Sequence, residues 1–234
     1  MTRRIGIPAM VALLLGCPGM VLAQAGEESA ASSAFAVASL HLEQNVTDGD
    51  GEVVFEVTGR ADGLTKLNVV SPAGRSIIDF TAPNVSTLGM REFRFESPEP
   101  EDIKTLTSAY PEGAYTFTGA TASGVKLRGR ATLSHKLPPP VSLLRPKADA
   151  EGVVAKNLQI AWTPVANLAA YIVYIEQPDL GVSMTARLPG SVAAFAVPDG
   201  FLRPGTAYQL GIGTVTDVGN VSFVETTFTT AGTP

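Results

Sequence analysis

The sequence has few of the residue types that build metal centres, redox sites or disulfide scaffolds. Its 234 residues include one cysteine, two histidines and one tryptophan. Cys17 is the only cysteine, so no disulfide can form within one chain. His41 and His135 have no second histidine or cysteine at metal-ligand spacing, which excludes the common zinc motifs. Stability must therefore come from hydrophobic cores.

Basic residues are also outnumbered. The chain carries 17 Lys and Arg against 22 Asp and Glu, and its net charge is −5. We predict no nucleic-acid partner, because nucleic-acid recognition needs a basic face. Phosphate-binding loops, dinucleotide fingerprints and the Gly-x-Ser-x-Gly nucleophile elbow are missing from the sequence. We therefore predict that the protein is not an enzyme.

The first 25 residues have the three parts of a secretory signal peptide. A basic start at Arg3 and Arg4 is followed by an apolar stretch and by small residues up to Ala25. The apolar stretch is too short to span a membrane, and no later run is longer, so we predict no transmembrane span. We predict export to the periplasm, the outer envelope or the extracellular space.

Cys17 allows two interpretations. The run Leu14-Leu15-Gly16-Cys17 resembles a bacterial lipobox, in which the cysteine carries a lipid anchor. Pro18 directly after the cysteine fits that pattern poorly. A Cys17 that is discarded with the signal peptide is the favoured interpretation.

Proline and small polar residues divide the rest of the chain. Residues 26–34 are small and polar and predict a flexible leader. The run 137–140, Leu-Pro-Pro-Pro, cannot continue a strand ladder or a helix, and it predicts a semi-rigid hinge. On both sides, β-branched and aromatic residues recur in short runs between turn-forming clusters. We predict an all-β protein with two β-sandwich domains in tandem, residues 35–137 and 138–232.

Alternating apolar residues locate the strands. In the first half, Val53, Phe55 and Val57 share one face by period two. A single helical turn is predicted at 103–109. The strands of the first half are predicted at 36–43, 52–58, 65–71, 76–81, 90–96, 114–121 and 125–134.

The second half shows the same alternation, with larger aromatic side chains on its apolar faces. We assign Trp162, Tyr171 and Tyr208 to its core rather than to a sugar-stacking surface, because each lies on the apolar face of a predicted strand. Pro204-Gly205 feeds Tyr208, which opens an alternating strand, and this pattern predicts a tyrosine corner.

Residues 138–232 resemble a fibronectin type III domain. The resemblance rests on the triple proline, the strand ending in Trp162, the Tyr208 corner and the loop 217–222. It implies a seven-stranded sandwich whose usual role is spacing, adhesion or ligand presentation. The run 111–115, Pro-Glu-Gly-Ala-Tyr, resembles the entry to a late strand in immunoglobulin-like bacterial domains, so we predict an immunoglobulin-like sandwich for residues 35–137. Exported bacterial proteins with such domains supply no catalytic residue to transfer.

Two acidic segments are candidate sites. Asp48, Asp50 and Glu52 alternate in a glycine-rich segment whose oxygens could hold Ca²⁺, but Asp-Gly is also a preferred hairpin turn, which we favour. Otherwise no cofactor is predicted. The carboxylates of a proline-rich loop could bind a ligand or, paired at a defined separation, hydrolyse glycosides, although a plain solvated loop is favoured; they are Glu96, Glu99 and Glu101.

These patterns predict a non-catalytic, exported binding or spacer protein of the bacterial envelope. Its partner would be a protein or a polysaccharide held by loops or by a sheet edge. Candidate binding positions are Asp217 and Asn220, the loop 178–182, and the acidic loop 96–102. Two alternatives stay open: a carbohydrate-active or other hydrolytic protein that uses carboxylates of the first half, and a Ca²⁺-stabilised structural domain.

Overall fold

The structure is a computed structural model that describes residues 32–82, 88–100 and 102–232. The predicted signal peptide, Cys17 and most of the predicted leader lie outside these residues. From Ser32 onward the chain forms one compact unit. Within the described ranges, no helix has the length and apolar character needed to cross a membrane.

The all-β prediction is confirmed. In the described ranges, strands account for nearly all regular structure, with one short α-helix and one 3-10 turn. The elements are β1 (Ser33–Ala34), β2 (Val37–Asn45), β3 (Asp50–Thr58), β4 (Leu64–Val70), β5 (Ser76–Thr81), β6 (Glu92–Glu96), α1 (Ile103–Ala109), β7 (Gly113–Thr121), β8 (Lys126–Leu133), β9 (Leu143–Arg145), β10 (Ala150–Val153), β11 (Gln159–Trp162), β12 (Ala170–Gln177), the 3-10 turn (Pro178–Leu180), β13 (Val182–Pro189), β14 (Ala194–Ala196), β15 (Ala207–Val215) and β16 (Val221–Thr230).

The first half is a sandwich of two layers. One layer contains β2, β3 and β6, and the other has the order β1-β8-β7-β4-β5. Alternation along β3 points Val53, Phe55 and Val57 inward, where they pack with Tyr115 and Phe117 from β7. All five side chains are at most 2% exposed. The core forms because each layer has one continuous apolar face.

The second half repeats this architecture. A three-stranded sheet, β14-β11-β9, lies opposite β13-β12-β15-β16. Trp162, Tyr171 and Tyr208 are at most 1% exposed and lie in a second core, separate from the first. The first core draws its residues from Phe35 to Leu137 and the second from Val141 to Phe228, so the cores divide at the triple proline.

Each half contains a tyrosine whose hydroxyl ties the start of a strand to upstream backbone. The Tyr208 hydroxyl accepts a hydrogen bond from the Arg203 N–H at 2.8 Å. The Tyr115 hydroxyl donates to the Pro111 carbonyl at 3.0 Å. Both arrangements have the geometry of a tyrosine corner, in which the phenol fixes the turn that leads into the strand.

A single sheet runs through both halves. Strand β2 pairs in parallel with β16, and the register places Glu43, Gln44 and Asn45 beside Val221, Ser222 and Phe223. The strand order is therefore β13-β12-β15-β16-β2-β3-β6, and β10 also pairs with β16. One layer of each sandwich is thus a part of the same sheet.

The triple proline does not act as the predicted hinge, because its carbonyls are bonded to the second half. Ser222 donates its hydroxyl to Pro138 O at 2.8 Å, and Thr214 donates to Pro139 O at 2.9 Å. Proline has no N–H but keeps a carbonyl acceptor, so hydroxyls of neighbouring strands can hold a proline run through its carbonyls.

The predicted leader is also shorter than expected. Ser33 and Ala34 form β1, which pairs in parallel with Leu127 and Arg128 of β8. Phe35, which follows, is 8% exposed and belongs to the first core. Burial of this ring holds the preceding two residues against the edge of the sheet.

Candidate functional site

The two ends of the predicted loop 217–220 have different surroundings. Asp217 is exposed in the turn between β15 and β16. Asn220 is 1% exposed, and its amide bonds to three backbone groups: it accepts from Leu42 N–H at 2.9 Å and donates to Ser134 O at 2.8 Å and Lys136 O at 3.1 Å. The prediction that Asn220 binds a partner is corrected, because its polar atoms are already used to join the two halves.

The loop after β12 lies at the opposite end of the second half. Ala170 pairs with Val215 near the junction, so the antiparallel register carries Gln177 away from it. The Gln177 side chain accepts from Leu180 N–H at 3.0 Å, and Gly181 ends the turn at φ 62°. This distal loop, residues 178–181, is exposed throughout.

The acidic loop 96–102 is divided among several roles. Glu96 accepts from Arg94 Nε at 2.5 Å, and Asp102 caps α1 by accepting from Lys104 N–H at 2.9 Å. Glu99 is mostly exposed. Its incomplete contact with water and the negative charges of Asp50 and Glu96 raise its pKa. Glu101 lies outside the described residues.

The acidic residues of the predicted Ca²⁺ segment do not converge on one point. Asp48 lies in the β2–β3 turn, where it accepts from the Asn45 amide at 3.1 Å. Glu52 lies inside β3 and is 3% exposed. Among the described residues, no group of three or more His, Cys, Asp or Glu side chains is arranged to hold a metal ion. Only Asp48 lies in the favoured hairpin turn, because β3 already begins at Asp50, and Ca²⁺ binding stays a prediction.

The structure instead brings together a cluster that the sequence analysis did not identify. Glu43 and Glu52 lie directly opposite each other on β2 and β3, and each is 3% exposed. His41 Nε2 lies 2.7 Å from Glu43 Oε1, and Arg94 Nη2 lies 3.6 Å from the same oxygen. Arg94 also contacts Glu56 at 3.2 Å. We call these five residues the carboxylate cluster.

The two facing carboxyls have opposite pKa shifts. Burial, reinforced by the negative charges of Glu43 and Glu96, raises the pKa of Glu52 to about 8. Burial also opposes the ionisation of Glu43, but the His41 hydrogen bond and the Arg94 charge outweigh it and lower the pKa of Glu43. At neutral pH, Glu52 therefore keeps its proton and Glu43 is ionised. Like charges directly opposite in a sheet are destabilising, and one proton removes that repulsion.

A second carboxylate contact lies on the same sheet in the second half. The Tyr174 hydroxyl donates to Glu225 Oε1 between β12 and β16. Burial and the nearby Glu225 charge raise the pKa of Tyr174 above its ordinary value, so the phenol stays a donor. Thr47 adds a link between the halves, because its hydroxyl accepts from Glu225 N–H at 2.8 Å.

One open cavity of 390 Å³ lies elsewhere, on the second half. Its lining includes the cationic side chains of Arg145 and Lys156 and the exposed Val154. None of the predicted site residues lines it. The carboxylate cluster and this cavity are therefore separate features.

Comparison with known proteins gives fold likeness alone. No family model matches the chain, and no curated protein does. The fibronectin(III)-like modules of Clostridium thermocellum CbhA are 11% identical, with 84% of this chain and 92% of that chain covered and a TM-score of 0.34. A two-domain fibronectin type III segment of chicken tenascin is 13% identical, with coverage of 84% and 99% and a TM-score of 0.31.

A tetra-tandem repeat in the extending region of a large adhesion protein is 16% identical, covers 84% of this chain and 50% of that one, and has a TM-score of 0.30. At these TM-scores, the assignment of architecture rests on the strand pairing of the chain itself. The second half is a fibronectin type III-like β-sandwich. In the first half, β5 lies beside β4, just as β13 lies beside β12 in the second half, whereas an immunoglobulin constant domain places its fourth strand in the other sheet. The immunoglobulin-like prediction for residues 35–137 is therefore not confirmed.

Proposed function

We propose that the protein is a non-catalytic, exported binding or spacer module of the bacterial envelope. The observation that carries this proposal is the continuous sheet that joins the two cores. A spacer has to keep its ends at a fixed separation, and a loop-based binding module has to hold its loops on a rigid scaffold. The β2–β16 pairing and the fastened triple proline supply both properties.

The distal loop is the part of this scaffold best placed to meet a partner. Asp179 and Leu180 are exposed at the end of the second half that points away from the junction, and Gln177 fixes the backbone that presents them. Asp217 is also exposed, but it lies at the junction, next to a structural asparagine. A protein or polysaccharide partner would therefore contact residues 178–181.

Spin-label distances test the rigid spacing. A Cys17→Ser background with labels at Thr132→Cys and Ala196→Cys places one exposed probe on a strand of each half. We expect one narrow distance distribution. An Asn220→Ala variant, which removes three cross-links, should broaden it. A broad distribution in the parent protein would contradict the spacer role.

Partner capture tests the binding role. The exported protein is used to retain components of its own envelope fraction and glycans on an array. Capture should be lost in Asp179→Lys and kept in Asp217→Lys, which makes the same charge change in the other exposed loop. Equal loss in both variants would contradict a specific distal site, and turnover of a retained glycan would contradict a non-catalytic role.

A second candidate function is hydrolysis by the Glu43–Glu52 pair. The observation in its favour is that two facing carboxyls have pKa values shifted in opposite directions, which is how acid and base roles are divided in hydrolases. It ranks second because both side chains are 3% exposed and a catalytic carboxyl has to contact its substrate. Release of reducing sugar that disappears in Glu52→Gln would support this candidate over the first.

A further inference from the structure

The described sheets have six terminal strands, and they differ in how well they resist pairing with another chain. These strands are β1, β5, β6, β9, β13 and β14; β10 also pairs on one side only, but it has four residues, includes Glu151 and pairs with β16 in an irregular register. An exposed edge is a template for a further strand unless it is short, charged, bulged or interrupted by proline. β1 has two residues, and β9 and β14 have three each. These three edges are too short to guide a partner strand.

Two longer edges carry protecting features. β6 alternates Glu92, Arg94 and Glu96, and Pro98 follows it. β5 carries Asp79, and its register with β4 shifts near its start. Charges and irregularities of these kinds are how natural proteins keep an edge unpaired.

β13 has less of this protection, since its one proline, Pro189, is its last residue. Its eight residues pair with β12 without a break, and Arg187 is its only charged residue. Ser183, Thr185 and Arg187 are exposed on one face, and the alternate residues are half-buried on the other. Among the six terminal strands, it is the one that is long, regular and almost uncharged.

We propose that two copies of this chain pair antiparallel through β13, with the two-fold axis at Thr185. This register places Thr185 opposite its own copy and Ser183 opposite Arg187. On the other face it places Met184 opposite Ala186 and Val182 opposite Leu188. Threonine pairs and apolar pairs are favourable across strands, and no like charges meet. The strand is therefore complementary to itself.

The pairing would extend the sheet that joins the two cores across a second molecule. A two-fold axis makes such a contact closed, so it gives a dimer rather than a fibre. The inference rests on the proposed binding role, in the form of the sheet-edge contact that the sequence analysis predicted, but it involves a different surface from the distal loop. The two can therefore fail separately.

The test uses the fact that only a residue on the axis faces its own copy. In Thr185→Lys, lysine meets lysine, and in Thr185→Glu, glutamate meets glutamate. Each variant alone should dimerise about two- to fivefold more weakly than the parent, because like charges directly opposite oppose pairing. An equimolar mixture of the two should form a heterodimer at least as tightly as the parent. Sedimentation equilibrium of the exported protein over a concentration series measures these affinities.

Thr81→Lys and Thr81→Glu make the same changes at an exposed position on the β5 edge and serve as matched controls. They should leave dimerisation at the parent value, separately and mixed. A parent protein that is monomeric at every concentration overturns the proposal. An unchanged dimerisation affinity in Thr185→Lys also overturns it. So does an equimolar mixture that dimerises no more tightly than either variant alone. Capture of a partner by the Thr185→Lys monomer would show that the distal-loop function stands without the dimer.

Discussion

Asn220 accepts a hydrogen bond from the Leu42 backbone N–H at 2.9 Å, although the two residues are 178 positions apart in the chain. The same amide donates to two carbonyls just before the triple proline, at Ser134 and Lys136. A strand of the first half, a strand of the second half and the segment between them therefore meet at one side chain. The junction is therefore held by specific hydrogen bonds of a buried side chain.

Replacement of Asn220 should weaken this junction. Asn220→Ala leaves a buried N–H and two carbonyls without their partner, and we expect a loss of about 2–4 kcal/mol in the free energy of unfolding. Urea denaturation measures it. Asn68→Ala is the matched control, since that amide is half-buried and bonds only within the first half. Equal losses in the two variants would contradict a special role for Asn220.

The two tyrosine corners should contribute similar amounts. Tyr208→Phe and Tyr115→Phe each remove one hydroxyl that is bonded to backbone and keep the buried ring. We expect each to lower the free energy of unfolding by about 1–2 kcal/mol, as measured by chemical denaturation. Tyr110→Phe is a control, because it also removes a hydroxyl from a ring that packs against the first core but does not form a tyrosine corner. No loss in Tyr208→Phe would mean that the corner bond does not stabilise the turn.

The carboxylate cluster predicts a pH dependence of stability. The pKa of Glu52 is raised to about 8 in the folded protein, so its contribution is fully present below its unfolded-state pKa and is lost as pH rises through about 8. Glu52→Gln mimics the protonated form. We expect it to match the parent near pH 4 and to be more stable above pH 8 by roughly 1–3 kcal/mol.

Thermal or urea unfolding across this pH range measures the difference between Glu52→Gln and the parent. Glu56→Gln removes a carboxylate from the same strand but keeps the facing Glu43–Glu52 pair, so it should bring no gain at high pH. Parallel stability curves for Glu52→Gln and the parent would show that Glu52 is not protonated in the folded state.

If Asp48, Asp50 and Glu52 do not form a metal site, a chelator should not change the melting temperature. A ligand that binds only the folded state raises the melting temperature. We expect equal melting temperatures with excess EDTA and with added Ca²⁺. A higher melting temperature in Ca²⁺ that Asp48→Asn removes would establish the metal site instead.

Local patterns predicted strands β2 to β8 to within two residues and missed β1, because period-two alternation and turn residues act over short distances. The predicted helical turn at 103–109 is α1. The Glu43–Glu52 pair was also within reach, since a hairpin turn at Asp48-Gly49 fixes which residues of β2 and β3 face each other.

The β2–β16 pairing could not be predicted in the same way. Glu43 and Val221 are far apart in sequence, and neither alternation nor turn chemistry specifies which distant strand an edge will meet. The burial of Asn220 follows from that pairing. A sequence pattern places this residue in an exposed loop, and only the neighbouring strand converts it into a buried link.

Amide hydrogen exchange tests the joined sheet most directly. Leu42 and Val46 donate their N–H groups to Asn220 Oδ1 and Phe223 O, each at 2.9 Å, across the junction. By NMR, we expect both amides to exchange as slowly as amides inside the core strands. Exchange as fast as that of Val218 in the exposed turn would mean that the two halves are not joined by a sheet.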